Sequence, residues 1–370
     1  MSTTIIFLLV LTALVFVHEL GHFLAARLFK IRVDEFAIGF PPRIFSFLWG
    51  KTRYAINMLP LGGYVKIYGE GPDDERTPDS ILSKNRWQQG IVLVAGVTFN
   101  VIFAWLLLSF SLFLGTKASY NAMPKDIVHD PVLTVIMVSP GSPAEKAGLK
   151  SGDEILLITN AEVLLATSTL SVESAQKAIA SAKNKVTFNV RQFSATSTTD
   201  DGYVVRQIVA TPAEGLVPGK KAVGISMDMV ATVKAGFFES FYYGARQTYH
   251  LTYNVATGLY EFLKNVVTGQ ASLQQVSGPV GIAGAVGESA KIGFASLLVM
   301  AAVISANLAV INMVPFPALD GGRLVVVIIE GILRRELNPK IIQWVNAIGF
   351  ILLITLMIVV TVKDVSTLFN

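Results

Sequence analysis

His18 and His22 stand four residues apart inside an apolar run covering residues 4–29. A helix satisfies its own backbone polar groups, so a lone segment of this kind can cross lipid only as a helix. On a helix, positions i and i+4 share a face. Two imidazoles can therefore point at one metal ion, with Glu19 beside them as a base for water. The flanks, residues 5–10 and 23–26, are apolar. Ionisable side chains in such a setting are costly and mark function. Two of the chain's four histidines fall here.

The rest of the chain supports a membrane setting. Of its 370 residues, 52% are hydrophobic and only 15% charged, against about 25% charged in soluble domains. Four spans are predicted, over residues 4–29, 90–114, 292–314 and 341–362, each near the roughly 20 residues that cross the hydrocarbon. The lipid bilayer is thus an expected partner. The first run lacks a basic leader and a small-residue cleavage site, so it is read as a span and not as a signal peptide. A net charge of +4 without a basic tract carrying interleaved aromatics argues against nucleic acid. The absence of cysteine excludes disulfides, thiol catalysis and Cys-ligated zinc.

Residues 292–333 are mostly apolar but too long for one span, roughly 60 Å as a single helix. Asn312, Pro315, Pro317, Asp320, Gly321, Gly322 and Arg323 fall inside it. Pro and Gly break the helix there. Irregular backbone at membrane depth is tolerated only where protein or a wet cavity surrounds it. A second polar site inside the membrane follows. Two histidines leave a zinc site short of a third ligand, and Asp320 is the candidate. Taken alone it would read as a turn residue before Gly. His129 and His250 read as ordinary surface or interface residues.

Basic residues cluster after the first span and before the fourth, which places both connections in the cytoplasm. The long segment between the second and third spans is then outside. Two stretches of the first connection, residues 36–42 and 54–65, are short, apolar and bounded by Gly and Pro, and read as strands. Two placements fit them, a sheet dipping into the membrane and a soluble hairpin. The outer segment holds a compact domain over residues 132–212, with a polar loop at 194–202. An aromatic-rich helical stretch follows at 235–264, lying on the outer leaflet or packed on a neighbour.

Together these residues resemble the site-2 protease family of intramembrane zinc metalloproteases, in its bacterial regulated-intramembrane-proteolysis group. The resemblance rests on His18-Glu19-Leu20-Gly21-His22, on Asn312 through Pro315 and Pro317 to Asp320-Gly321-Gly322, and on Gly62-Gly63-Tyr64-Val65. Ala95-Gly96 with Phe99-Asn100 and Ser277-Gly278-Pro279 add to it. Ser142-Pro143-Ala144 and Gly152-Asp153-Glu154-Ile155 make the outer domain similar to a PDZ domain. Val97 and Arg323 depart from the family pattern, where Pro and His are frequent, and one PDZ-like domain is seen where some relatives carry two.

The resemblance implies a polytopic α-helical membrane protein of about four spans, with a membrane-re-entrant β-loop and one extracytoplasmic PDZ-like α+β domain. The expected divisions are a first helix (1–30), re-entrant loop region (31–89), second helix (90–115) and PDZ-like domain with flanks (116–215). Extracytoplasmic amphipathic or linker helices (216–290), a broken third segment (291–335) and a fourth helix (336–370) follow. It implies Zn2+ held by His18, His22 and Asp320, with Glu19 activating water. Asn312 would hold substrate or steady an oxyanion, or else make a helix-packing bond. Gly62, Gly63, Tyr64, Val65, Pro315 and Pro317 would bind substrate. The implied location is the bacterial cytoplasmic membrane, with the active site nearer the cytoplasmic face. The implied substrates are single-span proteins such as anti-sigma factors or remnant signal peptides. A silent scaffold and a transporter are the rival classes. The intact Glu19 argues against the first and the lack of a repeated set of spans against the second.

Overall fold

The structure is a computed structural model that describes residues 2–71, 76–120, 124–160, 163–167, 169–193, 203–217, 220–270 and 277–369. It divides into two compact units, residues 1–113 with 236–370, and residues 114–235.

Among the described residues of the first unit, four helices are long and apolar enough to cross a membrane: α1 (Thr3–Leu28), α2 (Arg86–Leu114), α7 (Phe294–Met313) and α9 (Pro339–Phe369). Between α7 and α9 the chain breaks, then resumes as α8 (Asp320–Leu333). The break has a physical cause. Ala318 takes a left-handed φ of 71°. A Cβ on Gly321 would run into the carbonyl oxygens of Met313 and Val314, and one on Gly322 into that of Phe316. Only glycine lets α8 start so close to the turn before it.

Small residues also set the α1–α2 contact. A Cβ on Gly21 would lie 2.8 Å from the Ala95 carbonyl carbon. Without the glycine these two backbones could not meet. Deeper in the bundle, Ala104, Leu108 and Ala302 form a buried cluster. The Ser305 hydroxyl donates to the Asn100 carbonyl at 2.8 Å, tying α7 to α2.

The helical stretch after residue 235 is one helix, α5 (Phe237–Val267). Its first half packs on α2, where Trp105 Nε1 donates to the Phe241 carbonyl at 2.9 Å. Of the two expected placements, packing on a neighbour is the one observed along that half. Helix α6 (Pro279–Ile292) follows. Asp364 of α9 caps it, accepting from the amides of Gly278 (2.9 Å) and Gly281 (2.8 Å).

Strands β1 (Val33–Trp49) and β2 (Thr52–Ile67) are antiparallel and unusually long. Each serves as two strands, because β1 turns back near Pro41-Pro42. Phe36 pairs with both Tyr54 and Val65, while Tyr54 pairs with both Phe36 and Phe47. The spatial order is therefore 43–49, 52–57, 33–38, 63–67. This sheet lies along the middle of α1. Phe36 meets Phe16 and Phe23 at ring-centroid distances of 5.6 and 5.2 Å. The Thr12 hydroxyl donates to the Pro60 carbonyl at 3.1 Å.

The second unit is a seven-stranded sheet in the order β3-β11-β4-β5-β7-β8, with β6 beside β5. Its strands are β3 (Thr116–Ser119), β4 (Val128–Val138), β5 (Glu154–Thr159), β6 (Leu164–Ala166), β7 (Val186–Phe193), β8 (Tyr203–Ala210) and β11 (Ile225–Val233). The small hairpin β9 (Ala213–Val217) and β10 (Lys220–Ala222) stands apart. Helices α3 (Pro143–Ala147) and α4 (Val172–Ser181) flank the sheet. Its core is Leu133, Val135, Ile155, Ile158, Val186, Phe188 and Val190 against Ala175 and Ile179.

The expected boundary at 215/216 is displaced. Residues 225–233 are not linker helix but an inner strand, paired with β3 on one side and β4 on the other. Their alternation of Ile225, Met227, Met229, Ala231 and Val233 suits a half-buried strand. The polar loop expected at 194–202 lies outside the described residues.

Candidate metal centre

Helix α1 places His18 and His22 on one buried face, 7% and 6% exposed. The first residue of α8, Asp320, meets them. Asp320 Oδ2 lies 3.1 Å from His18 Nε2 and 3.2 Å from His22 Nε2, and the two Nε2 atoms are 3.2 Å apart. These three are a group able to hold a metal ion. Tetrahedral zinc with bonds of about 2.0–2.1 Å would set its ligands about 3.3 Å apart, so the triangle has the size zinc needs.

The donor set fits as well. His22 Nδ1 donates to the Val92 carbonyl at 2.8 Å, which leaves Nε2 as a bare lone pair. The outer nitrogen of His18, Nδ1, lies 3.2 Å from the Asn100 amide. Asn100 is fully buried, and its Oδ1 as placed has no hydrogen-bond partner. Amide oxygen and nitrogen are interchangeable assignments. Turning the amide over lets Oδ1 accept from His18 Nδ1–H. His18 Nε2 then becomes a lone pair too. Three acceptor atoms then converge at a spacing that a metal cation would bridge. This is the second-sphere arrangement that fixes histidine ligands.

Gly96 makes room for it. A Cβ there would lie 2.8 Å from His18 Cε1 and closer still to His22 Nε2. Glu19, next to His18 in sequence, accepts the Val65 amide of β2 at 2.9 Å. The segment 63–67 pairs with β1 on one side only among the described residues, so an unpaired strand edge abuts the α1 site.

Of the other residues singled out, Asn312 Nδ2 lies 3.4 Å from His18 Nε2 at the rim of the triangle. Tyr64 Oη donates to Glu35 at 3.1 Å. Gly62 has φ of 140°, and a Cβ on Gly63 would press on the Ala37 carbonyl. The two prolines are not in the polar cluster. Pro317 packs against Gly349 of α9, and Pro315 lines a separate apolar cleft of about 380 Å³ with Val97, Thr252 and Ala256. His129 and His250 are exposed. Asn100, Gly96 and Val92 carried no assigned role in the sequence reading. A lone Asn in an apolar span was the available signal for the first.

Comparison with known proteins agrees with this geometry. The pattern of peptidase family M50 matches residues 6–356. A provisionally named zinc metalloprotease of Clostridium perfringens is 35% identical over 360 residues, covering 97% of each chain. Another, of Fusobacterium nucleatum, is 32% identical over the whole of both chains. The zinc metalloprotease RasP of Bacillus licheniformis is 29% identical, again over the full length of both. With its buried His-His-Asp cluster and its four apolar spans, the chain belongs to peptidase family M50 and is a membrane zinc metalloendopeptidase of the site-2 type.

Proposed function

We propose that the protein hydrolyses peptide bonds within transmembrane segments, with His18, His22 and Asp320 as zinc ligands and Glu19 as general base. The observation that carries this is the triangle of His18, His22 and Asp320 at zinc-ligand spacing, one residue from a carboxylate that faces a free strand edge. When bound, zinc supplies a Lewis acid that polarises a carbonyl and brings water within reach of a carboxylate base near neutral pH. The protein's own groups do the rest. The Val65 amide holds one Glu19 oxygen and so orients the carboxylate. Glu19 takes a proton from the attacking water and later gives it to the leaving amine. Asn312, at the rim, is placed to donate to a developing oxyanion.

A helical substrate hides its amides in its own hydrogen bonds and must unwind before attack. The edge at 63–67 offers strand addition to the unwound segment. Gly62, Gly63 and Tyr64 keep this edge close to β1, and Pro315 and Pro317 shape the turn that delivers Asp320. Substrates of this kind are single-span proteins already trimmed outside, such as anti-sigma factors or remnant signal peptides. Basic connections after α1 and before α9 set the active site nearer the cytoplasm, in a bacterial inner membrane with the sheet unit outside. The β1–β2 sheet is then membrane-re-entrant.

The sheet unit is read as a PDZ-like size filter. Its entry and exit pair with each other, Thr116 with Val233, so residues 116–233 can be replaced by a short linker. That variant should cut substrates with bulky outer domains, and continued resistance of those substrates would remove the filter idea. The central test compares wild type with Glu19→Gln for bound zinc and for cleavage of a detergent-solubilised synthetic span. Zinc in both with cleavage only by wild type supports the assignment. Zinc in neither, after metal resupply, overturns the ligand set.

A further inference from the structure

Arg323 follows Asp320 by three residues on α8 and forms an ion pair with Glu70, Nη2 to Oε1 2.6 Å. Glu70 follows Val65 by five residues and comes three after the end of β2. Its backbone is fixed. Tyr68 donates to the Arg32 carbonyl at 2.9 Å and accepts from the Ile81 amide at 3.0 Å. Gly69, with φ of 99°, leaves no space for a Cβ against Ser80. Arg323 is fixed at its own end, since Gly321 and Gly322 hold the start of α8 against the turn before it.

The segment between Val65 and Glu70 is thus tied twice, by its Val65 amide to Glu19 of α1 and by Glu70 to α8. These two ties connect the strand edge to the helix carrying the base and to the helix carrying Asp320. A strand held at one point alone can swing or slip. A slip of two residues keeps every side chain on its face and is the natural error of strand pairing. We infer that the Arg323–Glu70 pair is a register latch, which makes Arg323 a positioning residue that selects which substrate bond faces the metal centre. The inference rests on the proteolytic reading above, in which substrate adds to the 63–67 edge.

The test uses the full chain in detergent and a synthetic transmembrane substrate, with products sized by mass spectrometry. Wild type should cut mainly at one bond. Arg323→Ala and Glu70→Gln should retain zinc at wild-type stoichiometry and spread cleavage to bonds two residues away, with kcat/KM at the original bond down about tenfold. The exchanged pair Glu70→Arg with Arg323→Glu should recover the single cut. Glu70→Gln keeps size and shape, so it serves where Arg323→Ala fails to fold. An unchanged cleavage site in the single variants, or an exchanged pair as scattered as they are, overturns the latch.

A second readout needs no activity. The chain has no native cysteine, so spin labels at Lys66→Cys and Ile328→Cys, both exposed, report the distance from strand to helix. Glu70→Gln should broaden that distance distribution, and an unchanged one overturns the latch. If wild type proves inactive on every substrate, the proteolytic reading fails, and the label distances still decide whether the pair holds the strand.

Discussion

The buried acids of the sheet unit and Asp320 of the membrane unit meet opposite neighbours. In the sheet unit, Asp153 and Glu154 face donors. Glu154, 5% exposed, meets Lys117 and, at 3.0 Å, Arg191. Asp153 accepts from the Lys150 amide at 2.9 Å and from Gln192 Nε2 at 2.9 and 3.0 Å. In the membrane unit Asp320 faces two imidazole nitrogens, Nε2 of His18 and of His22. Acids paired with donors are closed and hold structure together. An acid that converges with two imidazole nitrogens forms a group able to hold a metal ion. Burial alone does not separate a functional charge from a structural one; the polarity of its neighbours does.

The largest expected effect breaks this contrast at its centre. Glu19→Gln should lower cleavage by about 10²–10⁴-fold, the range for a lost general base, while zinc measured by atomic absorption stays at the wild-type ratio. Loss of zinc in that variant would make Glu19 a ligand. Next, Asn100→Leu should weaken zinc retention by about 10–100-fold against a competing chelator, as other second-sphere changes do. Equal retention would mean that the amide does not fix the His18 tautomer. Gly96→Ala should act in the same direction through the crowding of both imidazoles, read in the same chelator competition.

Glu154→Gln tests the closed side. It should cost the sheet unit about 1–3 kcal/mol, seen as faster amide exchange in β5 and β7, with zinc content unmoved. The smallest effect belongs to Asp153. Its burial outweighs its hydrogen bonds and raises its carboxyl above the usual range. A raised acid favours the folded state while protonated, so its contribution is present below the ordinary carboxylate pKa. That contribution is lost as pH rises through the raised value. Asp153→Asn should flatten this slope from about pH 4 upward, measured by exchange protection of β5 at several pH values.

Much of the site was legible because its parts carry local signals. His18 and His22 declare a shared face through spacing, and Asp320 declares itself by interrupting an apolar run. Asn100 was visible as a polar residue in a span, yet its task depends on meeting His18 from another helix, which no local pattern encodes. Arg323 stood out as a departure from the family pattern, but its partner Glu70 did not, and only the fold brings the two together. The spans were readable from hydropathy. The double use of β1 and β2 was not, since pattern shows that a segment is extended and not that it pairs on both sides. The strand at 225–233 has the right alternation, but alternation does not say which domain a strand joins.

The doubled sheet has a consequence for how disturbance travels. Its four segments form a ladder in which 63–67 leans on 33–38, that on 52–57, and that on 43–49. The far rail carries Ile44, Phe45, Phe47, Leu48 and Trp49, all exposed. A push on those side chains is a push on one end of a lever whose other end rests on Glu19.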